Sequence, residues 1–587
     1  MSAVQMFPQV FFAKSEQLAR EKAFHYCRMR DQKWVDMTWK RYRREVATLA
    51  GWMKKQGLKK GDAIALLSAN RPEWMIADLA IMSLGAICIP VYATSSESDI
   101  RYIMEHSEAK FLIVDQLTRA EPLTDFKLEG ILTFDPSSEA ASKKFSADIF
   151  SHAEFHNDES LAIAEPIDLE PDDIATIIYT SGTTGKPKGV VHTHGNLAAI
   201  FPTLFDVLKN NDGEIDRFFS FLPLSHVAER VMVEMGSILC GAEVAFARSI
   251  DTLANDLVRC RPTILLCVPR LWEKIYEKIV NGLESASPIK KTVFTVARSL
   301  GSVRIEGDRI NRDHDETLRA KICDALVGKK LKKRLGLDRC RMLVTGAAPT
   351  RPEVMKFFGS FGMLIREVYG LTENLCMGVL NDYDESVIGS CGKVFAGNEV
   401  KIADDEEILF KAPWTFKGYY KNDEETKKVL DDDDWFHTGD LGKLDEENRL
   451  SIVGRKKELL KTSGGKYIAP VPIEDRIKML NIIQDVMIVG DTRKFCVALV
   501  SLDEEATNGK PAEEFVGTLK EHLEKVNKPL ASYESIKRLG IMKKGFSVEG
   551  GTLTPTLKLK RAVAEKSQKQ FIETVYGADD KVVIEKD

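Results

Sequence analysis

The chain has 587 residues, 44% of them hydrophobic and 29% charged, the balance of a globular protein with ample core. Its net charge of −5 carries no global signature of nucleic-acid binding, and no run approaches the ~18 uncharged apolar residues of a membrane-spanning helix. The ten cysteines lie scattered without a Cys-x-x-Cys pair, and residues 1–14 lack the basic and apolar regions of a secretion signal, so reduced thiols and a cytoplasmic location are expected.

In chain order, Ala63-Ile-Ala-Leu-Leu reads as a strand. Arg71-Pro-Glu-Trp opens a helix to about Leu84, and Gly85-Ala86 turns into a second strand, Ile87-Cys-Ile-Pro-Val-Tyr. The same plan recurs from Phe218-Phe-Ser-Phe-Leu-Pro through a helix to about Cys240, Gly241-Ala242 and Glu243-Val-Ala-Phe-Ala. The echo suggests two related α/β lobes packed together. Ile264-Leu-Leu-Cys-Val-Pro leads into Leu271-Trp-Glu-Lys-Ile-Tyr-Glu-Lys-Ile, where apolar residues recur every three to four positions.

Between the two echoes, Ile174-Ala-Thr-Ile-Ile is apolar and β-branched, and it opens into residues 179–189, Tyr-Thr-Ser-Gly-Thr-Thr-Gly-Lys-Pro-Lys-Gly. A buried strand ending in such a loop suits polyphosphate: glycines let backbone N–H groups converge on an anion, hydroxyls add donors and lysines add charge. Pro187 follows Lys186 where a Walker A loop needs Ser or Thr, so the nucleotide fold is of another kind. Near residue 390 short strands and many turn residues mark a β-rich lobe. Gly454-Arg-Lys-Lys-Glu reads as a charged linker, and a compact α+β region follows with strands at Val486-Met-Ile-Val and Val497-Ala-Leu-Val. The basic segment 328–334 reads first as a solvated helix face, with contact to an anionic membrane as the alternative. Asp431 to Asp434 read as a solvated turn rather than a metal site.

Further segments join the 179–189 loop in a fixed order: Thr345-Gly-Ala-Ala-Pro, Val368-Tyr-Gly-Leu-Thr-Glu, Trp435-Phe-His-Thr-Gly-Asp, Gly454-Arg, Lys461-Thr-Ser-Gly-Gly-Lys-Tyr-Ile-Ala-Pro and Leu553-Thr-Pro-Thr-Leu-Lys. Together they resemble the motif series of the adenylate-forming superfamily, and the ending is most similar to its long-chain fatty acyl-CoA synthetases. The resemblance implies an α/β enzyme with a large N-terminal domain, 1–455, of two α/β lobes and a β-rich lobe, and a small mobile C-terminal domain, 456–587. It also implies an AMP-forming reaction on fatty acid, ATP and coenzyme A with Mg²⁺. The alternatives are transfer of the acyl group to a carrier protein, ligation of another carboxylic acid, or binding without catalysis. The short interval from Tyr369 to Asp440 argues against the carrier-protein branch.

By the same resemblance, Thr180, Ser181, Gly182, Thr183, Thr184, Gly185 and Lys188 cradle the β- and γ-phosphates. Gly346, Ala347 and Ala348 approach adenine, and Tyr369 stacks on it. Thr372 donates to the α-phosphate and Glu373 holds Mg²⁺. Asp440 accepts the ribose hydroxyls, and Arg455 contacts ribose and phosphate. His226 meets the substrate carboxylate; Lys558, with Lys560 as competing candidate, bridges carboxylate and α-phosphate. Lys457 is the hinge, and Gly464 and Gly465 face pantetheine. Asn374 and Leu557 depart from the usual Thr or Ser and Gly of relatives. His192 and His194 are explained by a helix starting at Asn196.

Overall fold

The computed structural model describes residues 5–28, 32–180, 186–210, 212–463, 466–504, 506–547, 550–554 and 559–586. Two large sheets carry the N-terminal part. The eight-stranded one runs, in spatial order, Gly418–Tyr419, Lys188–Thr193, Ile174–Thr180, Ile87–Val91, Ala63–Leu67, Phe111–Val114, Gly130–Thr133 and Asp148–Ser151. The nine-stranded one is centred on Ile365–Tyr369, Met342–Gly346, Ile264–Cys267, Arg217–Ser220 and Glu243–Phe246, the latter four pairings parallel. The two echoing sequence plans therefore fall on different sheets, as expected of paired lobes.

Helix Pro72–Ser83 is buried at every residue except Glu73, which explains why it is apolar all round rather than amphipathic. Pro72 sits in its first turn, where a missing N–H costs nothing. Its single buried charge, Asp78, receives both Nε (2.8 Å) and Nη2 (2.6 Å) of Arg230 from the other lobe. Arg230 Nη1 donates in turn to Thr176 Oγ1 (2.8 Å) in the strand that leads to the 179–189 loop. One buried guanidinium thus ties the two lobes; removing a single partner of such a pair would leave an uncompensated charge.

A third, antiparallel sheet holds Glu399–Ile402, Glu407–Lys411, Phe436–Leu444 and Leu450–Arg455. This is the β-rich lobe foreseen from residue 390. The linker begins later than its sequence suggests: Gly454 and Arg455 complete a strand paired to Leu441 and Asp440, and only Lys456–Glu458 form a turn. Pairing with the neighbouring strand overrides the local charge pattern there. Asp431 does form the expected turn, its Oδ1 accepting from Asp433 N (3.0 Å) and Trp435 N (2.8 Å).

A separate four-stranded sheet, Ile483–Val489, Cys496–Leu502, Ile536–Met542 and Val582–Ile584, has its own apolar core against helices Pro470–Ile477 and Val516–Asn527. It touches the larger part through Arg270 Nη1 to Asp485 Oδ1 (3.5 Å) and Arg351 Nη1 to the Lys478 carbonyl (3.2 Å). No helix among the described residues is long and apolar enough to cross a membrane.

Candidate active site

The strand Ile174–Thr180 and its antiparallel neighbour Lys188–Thr193 place Thr180 opposite Lys188 at the mouth of the intervening loop. Ser181, Gly182, Thr183, Thr184 and Gly185 lie outside the described residues. Gly189 is required by packing: a Cβ there would meet Ile177 Cγ2 at 2.8 Å. Lys188 Nζ lies 4.8 Å from the centre of the Tyr419 ring and 2.5 Å from Glu425 Oε2. Glu425 is held down to about 2 by the hydrogen bonds from Lys188 and Lys428. A pocket of ≈ 250 Å³ opens between Tyr102, Lys186, Lys188, Tyr419 and Glu425.

Tyr419 then leads inward. Its hydroxyl donates to Glu373 Oε1 (2.8 Å), and burial with the neighbouring Glu373 charge raises that hydroxyl well above the ordinary tyrosine range. Glu373 belongs to the turn Thr372–Asn374 that follows the strand Ile365–Tyr369. Two buried side chains hold this turn. His192 Nε2 donates to the Thr372 carbonyl (2.8 Å), and burial pulls that imidazole down to about 4, so it is neutral. Asn374 Oδ1 accepts from Leu371 N (2.8 Å), a job done by the residue that departs from the usual Thr or Ser.

The sequence account of the two histidines needs correction. The helix starts at His194, not Asn196, with Thr193 Oγ1 accepting from Asn196 N (3.1 Å), while His192 stays in the strand and reaches the Thr372 turn.

At the far end of the turn, Tyr369 donates from its hydroxyl to Asp440 Oδ2 (2.6 Å), and Arg455 Nε donates to Asp440 Oδ1 (2.8 Å). Asp440 and Arg455 are directly opposed in the antiparallel pair, so register alone brings them together. Burial works against the Arg455 charge, but the Asp440 carboxylate outweighs it and holds the guanidinium above the usual range. The Tyr369 ring packs 6.0 Å from Phe410 and is buried. Both Asp440 oxygens are engaged, so a bound ribose would share them with Tyr369 and Arg455.

The turn after Met342–Gly346 lies beside this group. A Cβ on Gly346 would meet Val368 Cγ1 at 2.8 Å, and Ala347 has φ 72°, a left-handed conformation that a non-glycine residue adopts at a cost. Ala347 and Ala348 are exposed at the rim. His226 caps the helical turn Val227–Glu229, its Nδ1 accepting from Ala228 N (3.2 Å). Its loop is braced from both sides. Asn70 donates to Ser220 Oγ (2.9 Å) and to the Leu222 carbonyl and accepts from Leu224 N (2.9 Å), while buried Glu229 Oε1 accepts from Phe221 N (3.1 Å). Burial pushes Glu229 up to about 8.

Lys457 is exposed in the turn after Arg455. Gly464, Gly465 and Lys558 lie outside the described residues. Lys560 stands at the start of helix Arg561–Ser567, its N–H donating to the Thr552 carbonyl (2.8 Å). The structure therefore brings together Lys188, Glu373, Tyr369, Asp440 and Arg455, and adds Tyr419, Glu425 and His192, which no local motif marks.

Comparison with known proteins bears on the same elements. The AMP-binding enzyme family matches residues 11–420, and the AMP-binding enzyme C-terminal domain matches 457–580. The long-chain-fatty-acid–CoA ligase FadD15 of Mycobacterium tuberculosis is 33% identical over 94% of this chain and 94% of its own length. The long-chain-fatty-acid–CoA ligase ACSBG2 of Xenopus laevis is 31% identical over 92% of this chain and 80% of its own. Among solved structures, the adenylation domain of a carboxylate reductase from Mycobacterium chelonae superposes with a TM-score of 0.79 at 20% identity, covering 98% of this chain and 92% of that one. The motif series, the geometry and these matches agree: the chain belongs to the AMP-binding enzyme family, the adenylate-forming superfamily.

Proposed function

We propose that the protein activates a long-chain fatty acid with ATP to an acyl-adenylate, releasing pyrophosphate, and then transfers the acyl group to coenzyme A, releasing AMP. The observation that carries this reading is the run of contacts from Glu425 through Lys188 and Tyr419 to Glu373, in the turn that follows Tyr369 with its partners Asp440 and Arg455. It lines up a cation for phosphates, a carboxylate for a metal and a carboxylate–guanidinium pair for ribose. The similarity to long-chain ligases along nearly the whole length supports the choice of acid.

In this reading the first step gathers anions, so the site's work is positioning and neutralisation. Lys188, with Thr180 and the Ser181–Gly185 loop, takes the β- and γ-phosphates, exchanging Glu425 for phosphate oxygen. Thr372 donates to the α-phosphate from a turn whose carbonyl His192 holds still. Asp440 and Arg455 receive the ribose, and Gly346 leaves room for adenine beside Tyr369. His226, braced by Asn70 and Glu229, faces the acid. Lys558 supplies the late positive charge.

Glu373 suits Mg²⁺: its Oε1 is occupied by Tyr419, which leaves Oε2 as a single hard oxygen, and no other protein donor to it is present among the described residues. Bound there, Mg²⁺ would neutralise phosphate charge. The domain boundary is placed at 455/456, with Lys457 as the point about which the C-terminal domain turns and Gly464 and Gly465 presenting backbone to pantetheine.

The test is to incubate the protein with ATP, Mg²⁺, coenzyme A and a panel of carboxylic acids of different length and shape, following AMP, pyrophosphate and thioester together. AMP and thioester formed with long-chain acids support the proposal. ADP formation, adenylate without thioester, or turnover only with short or aromatic acids overturns it.

A further inference from the structure

The helices Pro288–Gly301 and Leu318–Cys323 pack against each other on the outside of the nine-stranded-sheet lobe, far in sequence from every site motif. Their inward faces are filled: Ala297, Gly301, Ala320 and Cys323 are buried, and a Cβ on Gly301 would meet the Ser360 carbonyl at 1.9 Å. Their outward faces are unexpectedly apolar. Ile289, Val293 and Val296 stand at i, i+4 and i+7 on the first helix, and Leu318, Ile322 and Leu326 at i, i+4 and i+8 on the second and the π-helical turn that extends it. Ile289 is 77% exposed and Leu318 74%, so neither contributes to the core. Spacing of that kind makes a stripe along each helix rather than scattered single residues.

Charge surrounds the stripes. Residues 286–334 hold thirteen Lys and Arg against six Asp and Glu, an excess of seven in a chain whose net charge is −5. Among the described residues, no carboxylate lies within ion-pair reach of Lys290, Lys291, Lys329, Lys330 or Lys333, all of them exposed. Glu316, an exposed acid of the same segment, is already paired with Lys321 (2.8 Å).

We propose that this two-helix face docks the protein onto an anionic lipid bilayer, with the Ile, Val and Leu stripes entering the headgroup boundary and the lysines on lipid phosphates. Helices that lie in a membrane interface combine an apolar face with a Lys/Arg-rich flank in this way. A second copy of the chain is the wrong occupant, because a twofold contact would set one lysine-rich face against another. A protein partner fits less well, because binding hot spots favour Trp, Tyr and Arg seated in pockets, whereas this face presents bare aliphatic side chains. The surface is separate from the proposed reaction, and its test does not use activity.

The experiment is co-sedimentation of the full chain with sucrose-loaded vesicles, either phosphatidylcholine alone or an equimolar mixture with phosphatidylglycerol. The wild type is expected to pellet with the mixed vesicles at physiological salt and far less with the neutral ones. Ile289→Ser combined with Leu318→Ser and Ile322→Ser, and separately Lys329→Glu combined with Lys330→Glu, are each expected to weaken binding at least about tenfold. These side chains are exposed, so thermal melting should match the wild type. Binding by the serine variant equal to wild type, or no binding of the wild type to mixed vesicles, overturns the proposal. So does a concentration-dependent dimer in sedimentation velocity that the serine variant abolishes.

Discussion

Two groups of carboxylates show how differently this protein handles buried negative charge. In the Tyr369–Asp440–Arg455 group, one carboxylate receives a hydroxyl and a guanidinium on separate oxygens. At the junction between the large part and the C-terminal sheet, a single Arg351 reaches Glu277 through Nη2 (3.0 Å) and Glu273 (3.1 Å) and Glu353 (3.7 Å) through Nε, and Asp475 and buried Glu367 lie close by. There burial wins. Glu367, which accepts from Thr350 N (2.9 Å), is pushed up to about 7, and Asp475 also to about 7, with Lys478 opposing and Glu474 and Glu273 adding to the shift. Pairing makes the first group a fixed electrostatic fixture. Burial, with neighbouring carboxylates adding to it, shifts Glu367 and Asp475 of the second toward holding their protons up to about neutral pH.

The sharpest way to break the comparison is to remove the paired carboxylate. Asp440→Ala leaves the Arg455 and Tyr369 donors without their acceptor. Adenylation is expected to fall by about 10²–10³-fold, in the range found when one positioned electrostatic group is lost from an active site. Stability should drop by only about 1–2 kcal/mol, because the Arg455 side chain is 41% exposed and water can take over part of the pairing. ATP–pyrophosphate exchange and urea denaturation read the two effects. Exchange above a tenth of wild type would show that Asp440 is structural.

Glu229 extends the unpaired class into the loop of His226. Glu229→Ala removes the acceptor of Phe221 N and opens a cavity, at an expected cost of about 2–4 kcal/mol. Glu229→Gln keeps the shape and hydrogen bonding of the protonated carboxyl, so it should match the wild type near the unfolded glutamate value and be the more stable of the two at neutral pH. The pH dependence gives the sign. Burial raises the folded value from the ordinary glutamate range to about 8, so the protonated form is the one the fold prefers. The contribution is complete below the unfolded value, is lost progressively as pH rises toward about 8, and changes no further above it. Denaturation midpoints of Glu229→Gln should therefore lack the wild type's fall between pH 5 and 8. An identical fall in both proteins would assign it to other groups.

The junction predicts a smaller effect of the same sign. Glu367 and Asp475 favour docking of the C-terminal domain when protonated, and the docked arrangement weakens as pH rises through about 7. Protease cleavage within residues 456–463 should increase by about threefold from pH 6 to 8, and Glu367→Gln with Asp475→Asn should flatten the profile. An unchanged profile in the double variant would place the sensitivity elsewhere, with Glu273 and Glu277, the partners of Arg351, the next groups to substitute.

Much of the frame was legible before any coordinates. Ala63–Leu67, Pro72–Ser83 and Ile87–Val91 follow from an apolar run, a helix-opening proline and a turn glycine, which are local causes. Asp440, Arg455 and Lys188 were singled out by the resemblance of their segments to family motifs, and Asp440 and Arg455 do meet in the structure. Tyr419, Glu425 and His192 were not legible, because each acts through a partner far along the chain: 46 residues for Tyr419 to Glu373, 237 for Glu425 to Lys188 and 180 for His192 to Thr372. Periodicity reports which face is buried and is silent about what meets it there. The extent of the Leu450–Arg455 strand was hidden for the same reason, since only its partner strand supplies the hydrogen bonds that override a charged sequence.

The smallest expected effect tests the link between the pocket and the paired group. Glu425, held at about 2, is charged throughout the neutral range and, in the proposed reaction, would compete with phosphate for Lys188. Its carboxylate is partly exposed, so the pair is weakly held and should exchange readily for a polyphosphate. Glu425→Gln should then lower the KM for ATP by about two- to fivefold with kcat unchanged, because it removes a competitor and no catalytic group. A raised KM would mean the opposite arrangement: Glu425 would be aiming Lys188 at the phosphates. The pocket would then be a second fixed fixture like Asp440, built on a pair whose members stand 237 residues apart.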